Sequence, residues 1–218
     1  MSKKNGVKSC SDCGTLNCYK LNASFPTGCL TVGLDQEELA EAVDLYKNDP
    51  LVSKISCSAA EVEGTYYGQL TRVEEIAAFA RRAGVTKIGI ASCVGLAAEA
   101  RTFAKFLESQ GIASYSVLCK VGAVEKTETG IPKEHKIDPD AHESMCNPVL
   151  QARLLAKQGT ELNVVVGLCV GHDSLFIKYS QAPVTYLVVK DRVLAHNPVG
   201  ALYTGGTYYK KLFDGKLR

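Results

Sequence analysis

No stretch of this 218-residue sequence approaches the ~20 consecutive apolar residues of a membrane-spanning helix, so no membrane partner is expected. Net charge is nearly absent: 25 Lys and Arg stand against 23 Asp and Glu, a formal +2. That balance lacks the basic field that drives nucleic-acid binding. Met1 to Gly6 lead into no apolar h-region, so no secretory leader is read and a cytoplasmic setting is expected. Familiar chemical signatures are missing too. There is no G-x-x-x-x-G-K-[ST] phosphate loop and no G-x-S-x-G nucleophile elbow. Ser92-Cys93-Val94-Gly95 stands where a dinucleotide-binding G-x-G-x-x-G would follow the first predicted strand. A phosphatase-like loop needs Arg six positions after its Cys, and Glu99, Glu125, Ala152 and Leu175 hold those positions.

What is plentiful is cysteine. A chain that is 46% hydrophobic and 22% charged has the composition of an ordinary globular protein, so nine cysteines are not needed to hold it together. Disulfides are rare in a reducing compartment, and an odd number cannot pair completely within one chain. Metal ligands, reactive thiols and buried structural thiols remain. Spacing divides the nine into four, four and one. Cys10, Cys13, Cys18 and Cys29 crowd a segment without periodicity. Cys93, Cys119, Cys146 and Cys169 are spread along the rest, and Cys57 stands apart as an expected bystander.

Residues 1–34 cannot build a core of their own and need a staple. C-x2-C lets two thiolates of one tight turn face the same ion, and the next two cysteines can close a tetrahedron. Sulfur-only ligation suits zinc or an iron–sulfur cluster. Residues 35–83 read as three helices. Asp35 and Glu38 suggest a capping box at the first, Asp49-Pro50 ends it, and Thr71 and Glu74 suggest a second box. From residue 84 the pattern changes to strand, helix, strand, helix, strand, helix, strand. The strands fall near 87–91, 113–119, 163–168 and 184–189. This alternation predicts an α/β domain with a parallel sheet, order 2-1-3-4, and helices on both faces. The expected organisation is a knuckle at 1–34, a helical segment at 35–83 and an α/β domain at 84–218.

The strand assignments place the second quartet. Cys93, Cys119 and Cys169 fall at or just past strand ends, and Cys146 precedes Asn147-Pro148, a helix start. Ligands of open parallel sheets bind at the carboxyl ends of the strands. Helix starts also favour thiolates through their free N–H groups. The 120–147 connection is too long for an ordinary loop, and delivering Cys146 to that edge explains its length. Cys169 and His172 form C-x-x-H, which adds an imidazole. The plainer reading of strand-end cysteines is small buried core residues. His135, His142 and His196 receive no role, although His196 lies where it can join the cleft. The tyrosine- and lysine-rich tail from Tyr203 to Lys211 reads as a solvated or docking surface.

Several motifs carry a resemblance: Cys10-Ser-Asp-Cys13-Gly-Thr-Leu-Asn-Cys18, Leu118-Cys119-Lys120-Val121-Gly122-Ala123, Met145-Cys146-Asn147-Pro148 and Gly167-Leu168-Cys169-Val170-Gly171-His172-Asp173. The stretch Val188 to Val193 with His196-Asn197-Pro198 adds to them. The chain resembles an uncharacterised prokaryotic family of cysteine-rich proteins described as metal-binding, a family of unknown function. The resemblance implies metal binding through these cysteines and no particular reaction. From residue 86 onward the chain is also similar, at the level of fold, to small zinc-binding domains with cysteines spread along an α/β chain.

The expectation is a Rossmann-like α/β protein with two cysteine sites for zinc or iron–sulfur. The N-terminal site would be structural or electron-carrying, and the strand-edge site functional. The competing expectations are a thiol- or metal-dependent enzyme using Cys93 or Cys169, with His172 beside them, and a module that holds a small anionic molecule.

Overall fold

A computed structural model describes residues 9–20 and 24–216. The helices are α1 (Asn17–Lys20), α2 (Gln36–Asn48), α3 (Pro50–Tyr66), α4 (Arg72–Arg82), α5 (Ala97–Ser109), α6 (Pro148–Lys157), α7 (His172–Tyr179) and α8 (Val199–Tyr203). The strands are β1 (Lys87–Ser92), β2 (Ala113–Leu118), β3 (Leu162–Val166) and β4 (Val184–Val188). The chain divides into two compact units, Met1–Ala59 and Ala60–Arg218, and the boundary falls inside α3.

In the first unit, Asp35 caps α2 by accepting the amide of Glu37, and Glu38 plays no part in the cap. Leu39, Val43 and Tyr46 line one face of α2, yet all three are exposed. Among the described residues of this unit, Ser58 alone is buried. Among the described residues up to 34, none is buried.

The second unit is built on a four-stranded parallel sheet in the order β2-β1-β3-β4. Side chains alternate across it, as strand geometry requires. Ile88, Ile90, Val164 and Val166 face one layer, where they meet Ile76, Ala77 and Ala80 of α4 and Ala100, Phe103 and Leu107 of α5. Ala91, Val117 and Val165 face the other layer, with Ala152 and Leu155 of α6 and Phe176 of α7. The predicted fold class, strand order and two-faced helical cover are therefore all present. α4 starts with the expected box, in which Glu74 accepts from both the amide and the hydroxyl of Thr71. α6 starts at the expected Asn147-Pro148, with the Asn147 side chain accepting the amide of Leu150 at 3.0 Å.

Two features shape the carboxyl edge. β2 and β3 lie on opposite sides of β1, so the winding of the chain reverses between β1 and β3, the position at which open α/β sheets form a ligand crevice. On the far side, Val165 pairs with Tyr186 but Val166 with Val188, which leaves Leu187 as an extra residue just before β4 ends. Such an irregularity re-aims the outgoing strand.

Candidate functional site

The ladder of the sheet runs on into the cysteines. The amide of Cys93 donates to the Val166 carbonyl at 3.1 Å, and that of Cys119 to the Ser92 carbonyl at 2.8 Å. Cys146 is delivered by the long connection. Met145 donates to the Val124 carbonyl at 2.8 Å, and Asn147 to the Cys119 carbonyl at 2.7 Å. The connection is folded rather than loose. Glu125 holds Lys136 at 3.1 Å and His142 at 2.6 Å, Lys126 pairs with Glu143 at 2.9 Å, and Glu125 and Ser144 form an antiparallel bridge. Cys169 follows the turn after β3 that Gly167 makes with φ +65. Its carbonyl accepts the amides of His172 and Asp173, which begins α7.

The sulfurs of Cys119 and Cys146 are 3.8 Å apart. The Val94 amide donates to the Cys119 sulfur at 3.3 Å. The contact with the Cys146 sulfur and burial push the Cys119 thiol up, with Cys93 adding a smaller push. Cys146 shifts the opposite way. The Cys119 thiol, the His172 imidazole and the nearby Lys120 hold it well below the ordinary thiol value. His172 Nδ1 is buried and, among the described residues, has no hydrogen-bond partner.

Cys93 and Cys169 each meet a cation. Lys190 Nζ lies 3.2 Å from the Cys93 sulfur, and an Arg192 guanidinium nitrogen lies 3.1 Å from the Cys169 sulfur. Arg192 is held charged by Cys169 first, with Cys93 and Cys146 also within its field. All four cysteines of the second quartet, with His172, therefore stand at one edge of the sheet. Among the described residues, no three or more Cys, His, Asp or Glu side chains are already gathered around one point as a metal would require. The Cys119 and Cys146 sulfurs form a close pair, and the other two sulfurs sit against cations.

Lys190 and Arg192 are absent from the sequence-based set. Lys190-Asp191-Arg192 lies just past the end of β4 at Val188, at the same edge as the cysteines. His196 does not enter the cleft. Its Nδ1 accepts the Asp191 amide at 3.1 Å and its own amide donates to the Asp191 carbonyl, closing the turn that carries both cations. His142 serves Glu125 and Ser144, and the His135 carbonyl accepts from Lys126. Asp173 accepts the Tyr186 hydroxyl at 3.1 Å.

In the first unit, Cys10 and Cys13 occupy one tight turn, with the Cys13 amide donating to the Cys10 carbonyl at 3.2 Å. Cys10 and Cys18 are exposed, and Cys13 and Cys29 are half-buried. The Cys13 thiol is held below its ordinary value by donors from the Leu16 backbone, the Thr15 hydroxyl and the Thr15 backbone. Leu16 reaches this position with φ +51, a left-handed conformation unusual for leucine. Cys57 is exposed on α3.

This geometry defines a class: a parallel α/β protein whose carboxyl sheet edge is lined with cysteines, histidine and two cations. The chain belongs to the family described as protein of unknown function (DUF1847), whose model matches residues 29–187. That stretch contains Cys29 and all four sheet-edge cysteines. The chain is also 44% identical over 209 residues to the uncharacterized protein MJ0455 of Methanocaldococcus jannaschii, covering 95% of this chain and 99% of that protein.

Proposed function

We propose that the protein binds thiophilic metal, as zinc or an iron–sulfur cluster, at the carboxyl edge of its sheet through Cys93, Cys119, Cys146 and Cys169. The observation that carries this reading is the 3.8 Å separation of the Cys119 and Cys146 sulfurs. Two thiolates ~2.3 Å from one tetrahedral ion stand ~3.8 Å apart, so the pair matches an edge of that tetrahedron. The Val94 amide and the His172 imidazole add donors that favour thiolate over thiol. Cys93 and Cys169 complete the set by turning toward the pair, and His172 orients Cys146. Cys10, Cys13, Cys18 and Cys29 belong to the proposal as a second site. It is supported by the tight turn at Cys10 to Cys13 and by the backbone donors around the Cys13 sulfur. A reducing, cytoplasmic setting belongs to it as well, supported by nine thiols without a disulfide.

The test is anaerobic purification with elemental analysis and an absorption spectrum. Cys119→Ser and Cys146→Ser each remove the metal of the sheet-edge site, whereas Cys57→Ala leaves the metal content unchanged. Unaltered metal in both serine variants contradicts the reading. Absorption near ~400 nm identifies iron–sulfur, and a colourless zinc-loaded protein identifies zinc.

A second reading, a thiol-dependent enzyme using Cys93, is favoured by the Lys190 ammonium 3.2 Å from its sulfur. Rapid, selective alkylation of Cys93 in protein that takes up no metal separates it from the first.

A further inference from the structure

Lys190 and Arg192 are positioned by a purpose-built turn. The Asp191 carboxylate accepts the amides of Val193 and Leu194, both at 2.8 Å, and His196 closes the turn from the other end. The Lys190 stem runs past two residues that have no side chain. A methyl on Gly95 would lie 3.7 Å from Nζ, and one on Gly167 would lie 3.7 Å from Cδ. Lys190 is half-buried, and among the described residues neither cation has a carboxylate within ion-pair distance. A half-buried ammonium is unfavourable without an anion to face. The groups these two cations face are sulfurs.

Charge arithmetic identifies the anion. Four thiolates around a divalent ion carry −4 + 2 = −2, and four thiolates on an iron–sulfur core of charge +2 carry the same. One Lys and one Arg supply +2, whichever metal is present. We propose that Lys190 and Arg192 are the counter-charges of a four-thiolate metal complex formed by Cys93, Cys119, Cys146 and Cys169. They act as positioning residues that donate N–H groups to the Cys93 and Cys169 sulfurs. This inference rests on the metal-binding reading above. Hydrogen bonds from cationic donors to thiolate sulfur lower the energy of the sulfur lone pairs. Metal affinity and the sulfur-to-metal charge-transfer band therefore both depend on these two side chains.

The test uses the full chain with Cys10, Cys13, Cys18 and Cys29 changed to serine, so that cobalt(II) reports only the sheet-edge site. Lys190→Met keeps the apolar stem, and Arg192→Gln removes an exposed charge. The two are made singly and together, beside the charge-preserving pair Lys190→Arg and Arg192→Lys. Circular dichroism and the melting temperature of the metal-free variants establish folding. The double charge-removing variant is expected to lose about 100-fold or more in cobalt affinity, with each single change contributing part. Its thiolate-to-cobalt band moves to longer wavelength, whereas the charge-preserving pair stays within about tenfold of the parent in affinity. Unchanged affinity and an unmoved band in the folded double variant overturn the counter-charge role while leaving the metal site intact. A parent protein that takes up no cobalt overturns both readings.

Discussion

Gly167 shows how tightly single residues are specified at the sheet edge. Its φ of +65 belongs to glycine, and a Cβ there would lie 2.1 Å from Leu96 Cδ1, a fully packed side chain. Gly167→Ala therefore meets backbone strain and overpacking together, and is expected to cost about 3 kcal/mol of stability. Urea denaturation measures this directly, and a change within about 0.5 kcal/mol, the range of an ordinary surface substitution, contradicts it. At this scale much of the site was legible. Cys93, Cys119, Cys146, Cys169 and His172 were chosen because strand ends and helix starts are recognisable from local pattern. Lys190 and Arg192 were not, because a charged pair after the last strand looks like any solvated turn until the sheet order brings it beside β1 and β3. The role of His196 was hidden for a related reason. Whether an imidazole faces a cleft or its own turn depends on left-handed backbone at Ala195 and His196, and neither residue type signals it.

Among the elements, the 120–147 connection is the one whose character sequence pattern missed. It has no periodicity because it is ordered by side-chain ion pairs and a short antiparallel bridge rather than by a regular element. The Glu143 carboxylate receives Lys126 at 2.9 Å and the Ile137 amide at 2.7 Å, and these donors hold its pKa below the ordinary glutamate value, Lys126 most strongly. A carboxyl lowered in the folded state contributes stability that is complete above its unfolded pKa of about 4.3. That contribution is lost as pH falls through the lower folded value. Acidification below about pH 4 is thus expected to open the connection and free the Cys146 arm. Amide exchange at Ile137 should quicken over that window in the natural protein. In Glu143→Gln it should already be fast at neutral pH and vary little with protonation of this position. Slow exchange in the variant would show that the connection is held by something else. The helices were easier to read. The Thr71–Glu74 box, Asn147-Pro148 and the apolar stripes of α4 and α5 act within a few residues, where sequence and structure are closely tied.

For the molecule as a whole, the two units differ in what stabilises them. Ala60–Arg218 has a two-layer core around a parallel sheet, which alternating strands and helices announced in advance, including the order that places β1 and β3 on either side of the crevice. Met1–Ala59 buries almost nothing among its described residues, and it carries five of the nine thiols, Cys10, Cys13, Cys18, Cys29 and Cys57. Spacing alone left the arrangement of its cysteines open, since a C-x2-C turn brings two of them together and leaves the later two to backbone geometry. The central claim concerns the sheet edge, and X-ray absorption at the metal edge tests it most directly. The sample is anaerobically purified protein with serine at Cys10, Cys13, Cys18 and Cys29. The account predicts bound zinc or iron with a shell of four sulfurs at about 2.3 Å. A shell of oxygen and nitrogen alone, or no bound metal, would contradict it.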